Sequence, residues 1–349
     1  MAETIQKKKR DVSLDIAKGI LIFLVVWGHS IQFGFGYEYG ETYGCLNDYV
    51  FRGICSFHMP LFMAISGYLF YYSNQKSFKD VIISRIKSIG IPYVAYCTLK
   101  VILLAPMMKM GGAISFVIDT YSNGFWFLTS VLLNCCVVSL VTLISRNKWI
   151  VTTLLMLVNL GLFFVNDNYL YNTHNYMFTC FIVGYLYNLL IEKPMTFSKM
   201  TVKGGVLAII VFLMSASIFK DDLYIYSNGV YLIRDGSLSA HQLGIDMTRC
   251  AIGLVASICF LYFIPLHKYL SEGMRNFVCT LGRYSIGIYC LSMIILHTIY
   301  KIMGKFDVNI LHNYYYPIIL AIMVMIICTM SMIFCEKRRI LNMLFLGGR

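Results

Sequence analysis

The stretch Leu14-Asp15-Ile16-Ala17-Lys18-Gly19-Ile20-Leu21-Ile22-Phe23-Leu24-Val25-Val26-Trp27-Gly28-His29 decides how this chain is to be read. It opens a run apolar enough for a membrane span, which needs about 20 residues to cross a hydrocarbon core about 30 Å thick. Yet it carries three ionisable groups, and a charge at the centre of a span costs about 2.5 to 3.5 kcal/mol on insertion scales. Such groups usually face a cavity or a partner. At about 100° per residue, the steps from Lys18 to His29 make three turns plus roughly 20°, so the two share a face. Asp15 falls within about 40° of the same line and stands three residues before Lys18, where opposite charges pair. The helix therefore presents one polar stripe, with Lys18 and His29 about 16 Å apart along its axis. That stripe fits a functional path through the bilayer. It also fits an interfacial ion pair that snorkels, with His29 as a helix-packing hydrogen bonder.

Outward from this segment the chain keeps the same character. Its 349 residues are 58% hydrophobic and 13% charged, with a mean hydropathy of +0.70, which excludes an ordinary soluble domain. Ten apolar segments recur, at about 14–35, 53–72, 91–107, 125–144, 149–165, 176–191, 204–219, 245–266, 285–303 and 315–335. The expected fold class is all-α, a polytopic membrane helix bundle of about ten transmembrane helices, forming one integral-membrane domain over 1–349. The longest connection, about 220–244, is only a loop's length. Lys7, Lys8, Lys9 and Arg10 resemble the start of a secretory signal. The apolar run behind them is too long for one and lacks a small-residue cleavage site, so it is expected to be a retained first span.

A net charge of +12 raises the question of nucleic acid, and the placement of the charges decides against it. With a cytoplasmic amino terminus, about 20 of the 29 Lys and Arg fall on cytoplasmic segments, as the positive-inside rule expects. Those segments include 76–87, 146–148, 193–203, 268–283 and the chain from 336 on. Both termini are then expected on the cytoplasmic face of a bacterial-type inner membrane. The cysteines lie scattered through the spans without CxxC spacing, so no metal site is expected.

Further candidates follow from position. Phe57-His58-Met59-Pro60 opens the second expected span from the external side, which puts His58 at a depth comparable with His29. Two histidines on adjacent helices then suit one site, although a lone histidine at a helix start is commonly a local hydrogen bonder. Ser66-Gly67 suits close helix approach or substrate contact. The segment from Lys76 to Ser88, basic and apolar by turns, suits the anionic leaflet, or else Arg85 and Lys87 bind phosphates. Asp246 and Arg249, three apart, are expected to pair. Lys100 has no evident sequence partner, and Trp126 fits interfacial anchoring.

These residues resemble the acyltransferase 3 family of integral-membrane O-acyltransferases, especially its fucose 4-O-acetylase-like members. Lys18, ten intervening residues and His29 are similar to the basic-x10-His signature of that family's first span. Phe57-His58-Met59-Pro60-Leu61-Phe62-Met63-Ala64-Ile65-Ser66-Gly67-Tyr68 resembles its second-span motif, and Arg85-Ile86-Lys87 before Ile91-Pro92-Tyr93 its entry to the third. Leu281-Gly282-Arg283-Tyr284-Ser285-Ile286-Gly287-Ile288-Tyr289 resembles a later stretch, departing at Ser292, where many members carry histidine.

The resemblance implies an acetyl or acyl transfer from cytoplasmic acetyl-CoA, as co-substrate with no bound cofactor. The acceptor would be a hydroxyl of a polysaccharide, peptidoglycan or lipid-linked glycan. It implies catalytic roles for His29 and His58, donor binding by Lys18, Arg85 and Lys87, and support from Asp15, Ser66 and Arg283. A histidine can take the proton of a sugar hydroxyl as that hydroxyl attacks the thioester, or can itself be acylated first. Both routes stay open. The rival reading is a transporter of a small polar solute, for which an intramembrane polar stripe also serves.

Overall fold

The computed structural model describes residues 11–34, 44–107, 110–165, 169–191, 201–234, 237–303 and 315–348. The basic run 7–10, residue 35, most of 193–203 and Asp235 lie outside them. In chain order the helices are α1 (Val12–Gly34), α2 (Tyr49–Ser73), α3 (Phe78–Arg85), α4 (Ile91–Leu104), α5 (Met110–Asn123), α6 (Trp126–Ile144) and α7 (Lys148–Leu162). They continue as α8 (Tyr169–Ile191), α9 (Val202–Ile218), α10 (Ala240–Phe263), α11 (Glu272–Arg283), α12 (Ser285–Met303), α13 (Tyr316–Glu336) and α14 (Arg339–Leu346). Among the described residues the only strands are the two-residue pair β1 (Ile233–Arg234) and β2 (Ser237–Leu238).

Each of the ten expected spans falls on a helix. Seven helical stretches are long and apolar enough to cross a membrane, and α7 and α9 are shorter apolar helices. The helices bury polar groups and expose apolar ones. Val206, Leu207, Ile210, Leu213 and Met214 of α9 and Ile319, Met323, Ile326 and Met330 of α13 all face outward, whereas Asp15, Asn74, Asn134, Asp246 and Arg249 are buried. Only a hydrocarbon surround makes that arrangement favourable.

Two boundaries differ from expectation, each for a local reason. The second span begins at Tyr49 because the Asp48 side chain accepts from the backbone N–H groups of Val50 and Phe51, an N-cap that satisfies two orphan donors. His58 is therefore well inside α2, not at its mouth. The basic segment after α2 does not lie apart as a surface helix: α3 runs into α4 as one continuous stretch, Phe78–Met107. Ser77 caps it by accepting from Asp80 N–H. Between α3 and α4 the ladder widens into a π turn over Ile86–Gly90. Pro92 has no N–H to offer Ser88, and Ile91 N–H reaches back five residues to the Ile86 carbonyl.

Close backbone contacts set the frame around α1 and α2. A side chain at Gly67 would strike the Phe181 carbonyl, and one at Gly184 would strike that of Ala64, so α2 and α8 pack through reciprocal glycines. In the same way Gly19 of α1 lies on the Val278 backbone of α11, and Gly282 of α11 on that of Asp15. At the end of α2, Asn74 Nδ2 donates to Thr142 Oγ1 (2.9 Å) and Tyr185 OH (3.1 Å). Arg146 Nη1 donates to the Asn74 carbonyl (3.0 Å). This buried network ties α2 to α6 and α8. At the other end of the chain, Gly347 adopts φ +70° and lets the terminus of α14 settle against Ser88 and the Lys87 carbonyl at the π turn.

Candidate active site

The polar stripe of α1 borders two cavities. His29 lines one, together with His58, Gln32, Trp126, Tyr224, Tyr226 and Arg249. Lys18 lines the other, together with Ser66, Ser73, Arg85, Ser88 and Ser285. The space open to the centre of a water molecule is about 60 and 180 Å³, respectively. Val25, Met59 and Tyr289 border both, so the two chambers meet at these three side chains. The rise of an α-helix places the Lys18 and His29 levels about 16 Å apart.

In the histidine chamber, α1 and α2 approach closely, with Gly28 facing the Ile54 side chain. His29 Nδ1 lies 3.1 Å from Gln32 Oε1, and His58 Nδ1 lies 2.6 Å from the Ile54 carbonyl oxygen. The Ile54 carbonyl can only accept, so His58 Nδ1 carries the proton and its Nε2 the basic lone pair; with Gln32 presenting Oε1, His29 takes the same tautomer. Pro60, inside α2, removes the helix bond to the Ser56 carbonyl, two residues to either side of His58. Gln32, one turn beyond His29, went unremarked in the sequence, because an amide at that spacing is common on helix surfaces.

The Lys18 chamber is basic. Lys18 Nζ lies 2.8 Å from Asp15 Oδ1; Asp15 is buried behind it and borders neither cavity. Arg85 Nη2 donates to Ser73 Oγ (2.8 Å), and its guanidinium stands over the Phe70 ring at 5.4 Å. Arg85 Nε and Ser88 Oγ are buried without a hydrogen-bond partner. Two unsatisfied groups on the wall of one cavity leave donor capacity for a ligand rich in acceptor oxygens. Ser66 Oγ donates to the Phe62 carbonyl (2.9 Å), and Ser66 lines the chamber.

Two expected members stand elsewhere. Lys87 is exposed and borders neither chamber, because the helical turn that brings Arg85 inward carries Lys87 outward. Arg283 pairs with Glu336, which also accepts from Tyr284 OH. This cluster flanks the chamber, while Gly282 and Ser285 line it.

Trp126, expected as an interfacial anchor, lines the histidine chamber. The chain breaks between α5 and α6 at Asn123-Gly124-Phe125, and α6 starts from a fully buried Phe125. Asp246 and Arg249 pair as expected, at 2.7 Å. Arg249 also borders the chamber, which the pairing rule alone does not reveal. Lys100 is buried, its ammonium facing the Phe116 and Phe125 rings at 5.7 and 5.8 Å. Among the described residues no group of three or more His, Cys, Asp and Glu is placed to hold a metal ion.

The fold is that of a polytopic helical membrane protein in which a basic chamber and a two-histidine chamber share three lining residues. The chain belongs to the acyltransferase 3 family, whose model, described as an acyltransferase domain, matches residues 11–335. That match agrees with the resemblance carried by Lys18, His29 and the second-helix motif, and favours acyl transfer over transport. The chain is also similar to two proteins named Nodulation protein NolL. The one from Mesorhizobium japonicum is 34% identical over 149 residues, covering 41% of this chain and 39% of the relative. The one from Sinorhizobium fredii is 30% identical over 251 residues, covering 69% of this chain and 66% of the relative. The chain thus spans less than two thirds of the length of either relative. No solved structure matches.

Proposed function

We propose that the protein is an O-acetyltransferase of the bacterial inner membrane. It takes acetyl from cytoplasmic acetyl-CoA and gives it to a hydroxyl of an extracytoplasmic or lipid-linked saccharide. The observation that carries this reading is the placement of Lys18 and His29 on one helix face, in two chambers that meet at Val25, Met59 and Tyr289. A donor with a phosphorylated carrier suits Lys18, Arg85 and Ser88, whose donors fit phosphate oxygens. Its acetyl end then points toward the constriction.

In the outer chamber His29 Nε2 accepts the proton of the sugar hydroxyl as the oxygen attacks the thioester carbonyl. The C–O bond forms, the C–S bond breaks, and the thiolate leaving with the carrier takes up the proton. Gln32 holds the His29 tautomer, and His58 contacts the acceptor from α2. Both termini are cytoplasmic in this arrangement, so that Lys18 sits nearer the cytoplasm than His29. Membranes containing the protein, supplied with [14C]acetyl-CoA, should place label in a saccharide fraction as an ester released by mild base. Label confined to protein, or to lipid that carries no sugar, would overturn the proposal.

A further inference from the structure

The histidine chamber is closed on one side by the segment between α9 and α10, which holds few backbone bonds to neighbouring elements and is strapped down by side chains of α10. Arg249 Nε donates to the Leu223 carbonyl (2.8 Å) and Nη2 to those of Asn228 (2.7 Å) and Asp222 (3.3 Å). Gln242 Nε2 donates to the Gly229 carbonyl (2.6 Å) and to Asp246 Oδ1 (3.2 Å). A buried carbonyl must find a donor, and here the donors of two side chains hold the strap at Asp222, Leu223, Asn228 and Gly229.

The strap adds Tyr224 and Tyr226 to a run of aromatic rings completed by Phe51 of α2 and Trp126 of α6, each tilted 59–72° from the next. Phe51 and Tyr224 have ring centroids 6.1 Å apart, Tyr224 and Tyr226 5.1 Å, and Tyr226 and Trp126 6.2 Å. All four line the same cavity as His29 and His58. Anchoring in lipid headgroups does not describe them, since Tyr224 is only 8% exposed and turned into the protein.

We propose that Tyr226 is the platform on which a pyranose ring of the acceptor stacks, flanked by Tyr224, Trp126 and Phe51, and that Arg249, which holds the strap, is the residue that positions it. The negative π face of an aromatic ring attracts the weakly positive C–H bonds on one face of a sugar. The hydroxyls at the ring's edge are left free to reach the imidazoles. His29, Gln32, His58 and Arg249 on the same wall give the chamber a polar side as well as an aromatic one, which suits a ligand with one apolar face and polar edges. This inference rests on the saccharide-acceptor reading above.

The test uses membranes carrying the full chain, [14C]acetyl-CoA, and graded amounts of the saccharide fraction from the same cells after mild-base de-esterification. Tyr226→Leu, which keeps apolar bulk and removes the π face, should raise the apparent saccharide KM about threefold to tenfold, the range of an aromatic contact. The KM for acetyl-CoA should not move. Tyr226→Phe should stay near wild type. Arg249→Lys, which loses the planar fork, should raise the saccharide KM with donor KM unchanged. If Tyr226→Leu binds donor normally and keeps the wild-type saccharide KM, the platform is wrong although saccharide transfer stands. If wild-type protein labels no saccharide, both the function and the platform fall.

Discussion

His29 Nδ1 is held 3.1 Å from Gln32 Oε1, one helical turn further along α1, so the group that fixes the imidazole comes from the same helix as the imidazole. A base whose tautomer is set within one rigid element does not depend on the relative movement of α1 and α2. His29→Ala should cut turnover by at least about 100-fold, the general-base range, while donor binding survives. Gln32→Leu should cost less, and Gln32→Glu should recover part of the loss by restoring an acceptor at Nδ1. His58→Ala should be milder than His29→Ala. The measurement is acetyl transfer at saturating acetyl-CoA, with thermal stability checked for each variant. A well-folded His29→Ala protein with near-wild-type transfer would move the base to His58.

The two basic residues of the third-span entry part company. Arg85 borders the Lys18 chamber with its Nε buried and unbonded, whereas Lys87 is exposed. A charge-assisted hydrogen bond contributes about 1.5 to 3 kcal/mol. Arg85→Ala should therefore raise the KM for acetyl-CoA about tenfold or more, and Lys87→Ala should leave it within about twofold, as a surface cation would. Equal effects from both would make the pair a matter of membrane electrostatics and not of donor recognition.

Much of this was legible in the sequence, and the residues say why. Lys18 and His29 share one helix, where a fixed 100° step converts spacing into direction. Their face could be read before any fold was known. Arg85 and Lys87 also share a helix, but which of them points inward depends on how α3 docks on the bundle and on the π turn before Pro92. That Trp126 borders a chamber is not legible, because the break at Asn123-Gly124-Phe125, which sets where α6 starts, leaves little trace in a hydropathy profile. Tyr224 and Tyr226 sit in a loop with no periodicity, and the carbonyls that Arg249 gathers there are invisible in a string of side chains.

The reciprocal glycines make a prediction about assembly. Gly67→Val should force α2 and α8 apart, because its side chain would meet the Phe181 carbonyl. The expected outcome is a large loss of folded protein in detergent, read as recovery by size-exclusion chromatography and as a lowered Tm. Gly161→Ala is the control, since nothing lies within 4 Å of a side chain there, and its Tm should be unchanged or slightly raised. A Gly67→Val protein as stable as the control would mean that α2 and α8 do not pack this closely.

Orientation is tested by reporters fused after single residues. Positions following Lys87, Lys148 and Arg339 should read as cytoplasmic and a position near Asp48 as external, following the distribution of Lys and Arg. A reporter after Lys87 that reads as external would place Arg85 on the wrong side for a cytoplasmic donor.

The constriction between the chambers gives the most direct test of a path. Val25, Met59 and Tyr289 border both cavities, and the Lys18 and His29 levels are about 16 Å apart along α1. An acyl group arriving at one level and a base acting at the other must communicate past these three side chains. Val25 is 2% exposed, so enlarging it fills the passage from a rigid wall. Val25→Phe should leave acetyl-CoA binding intact, as measured by equilibrium binding to the purified protein, and should reduce transfer by about 100-fold, since a misplacement of about 1 Å is enough for a loss of that size. Val25→Ala should keep transfer, with a stability loss below that of a full Leu-to-Ala truncation. Met59→Leu, a swap that nearly conserves volume, should be close to wild type. Tyr289→Phe separates the ring from its hydroxyl: if Tyr289 only shapes the passage, this variant should transfer normally, and a marked loss would assign the hydroxyl a contact with the passing group. If Val25→Phe folds, binds donor and still transfers acetyl at the wild-type rate, the two chambers are not one path, and donor and acceptor must meet entirely within one of them.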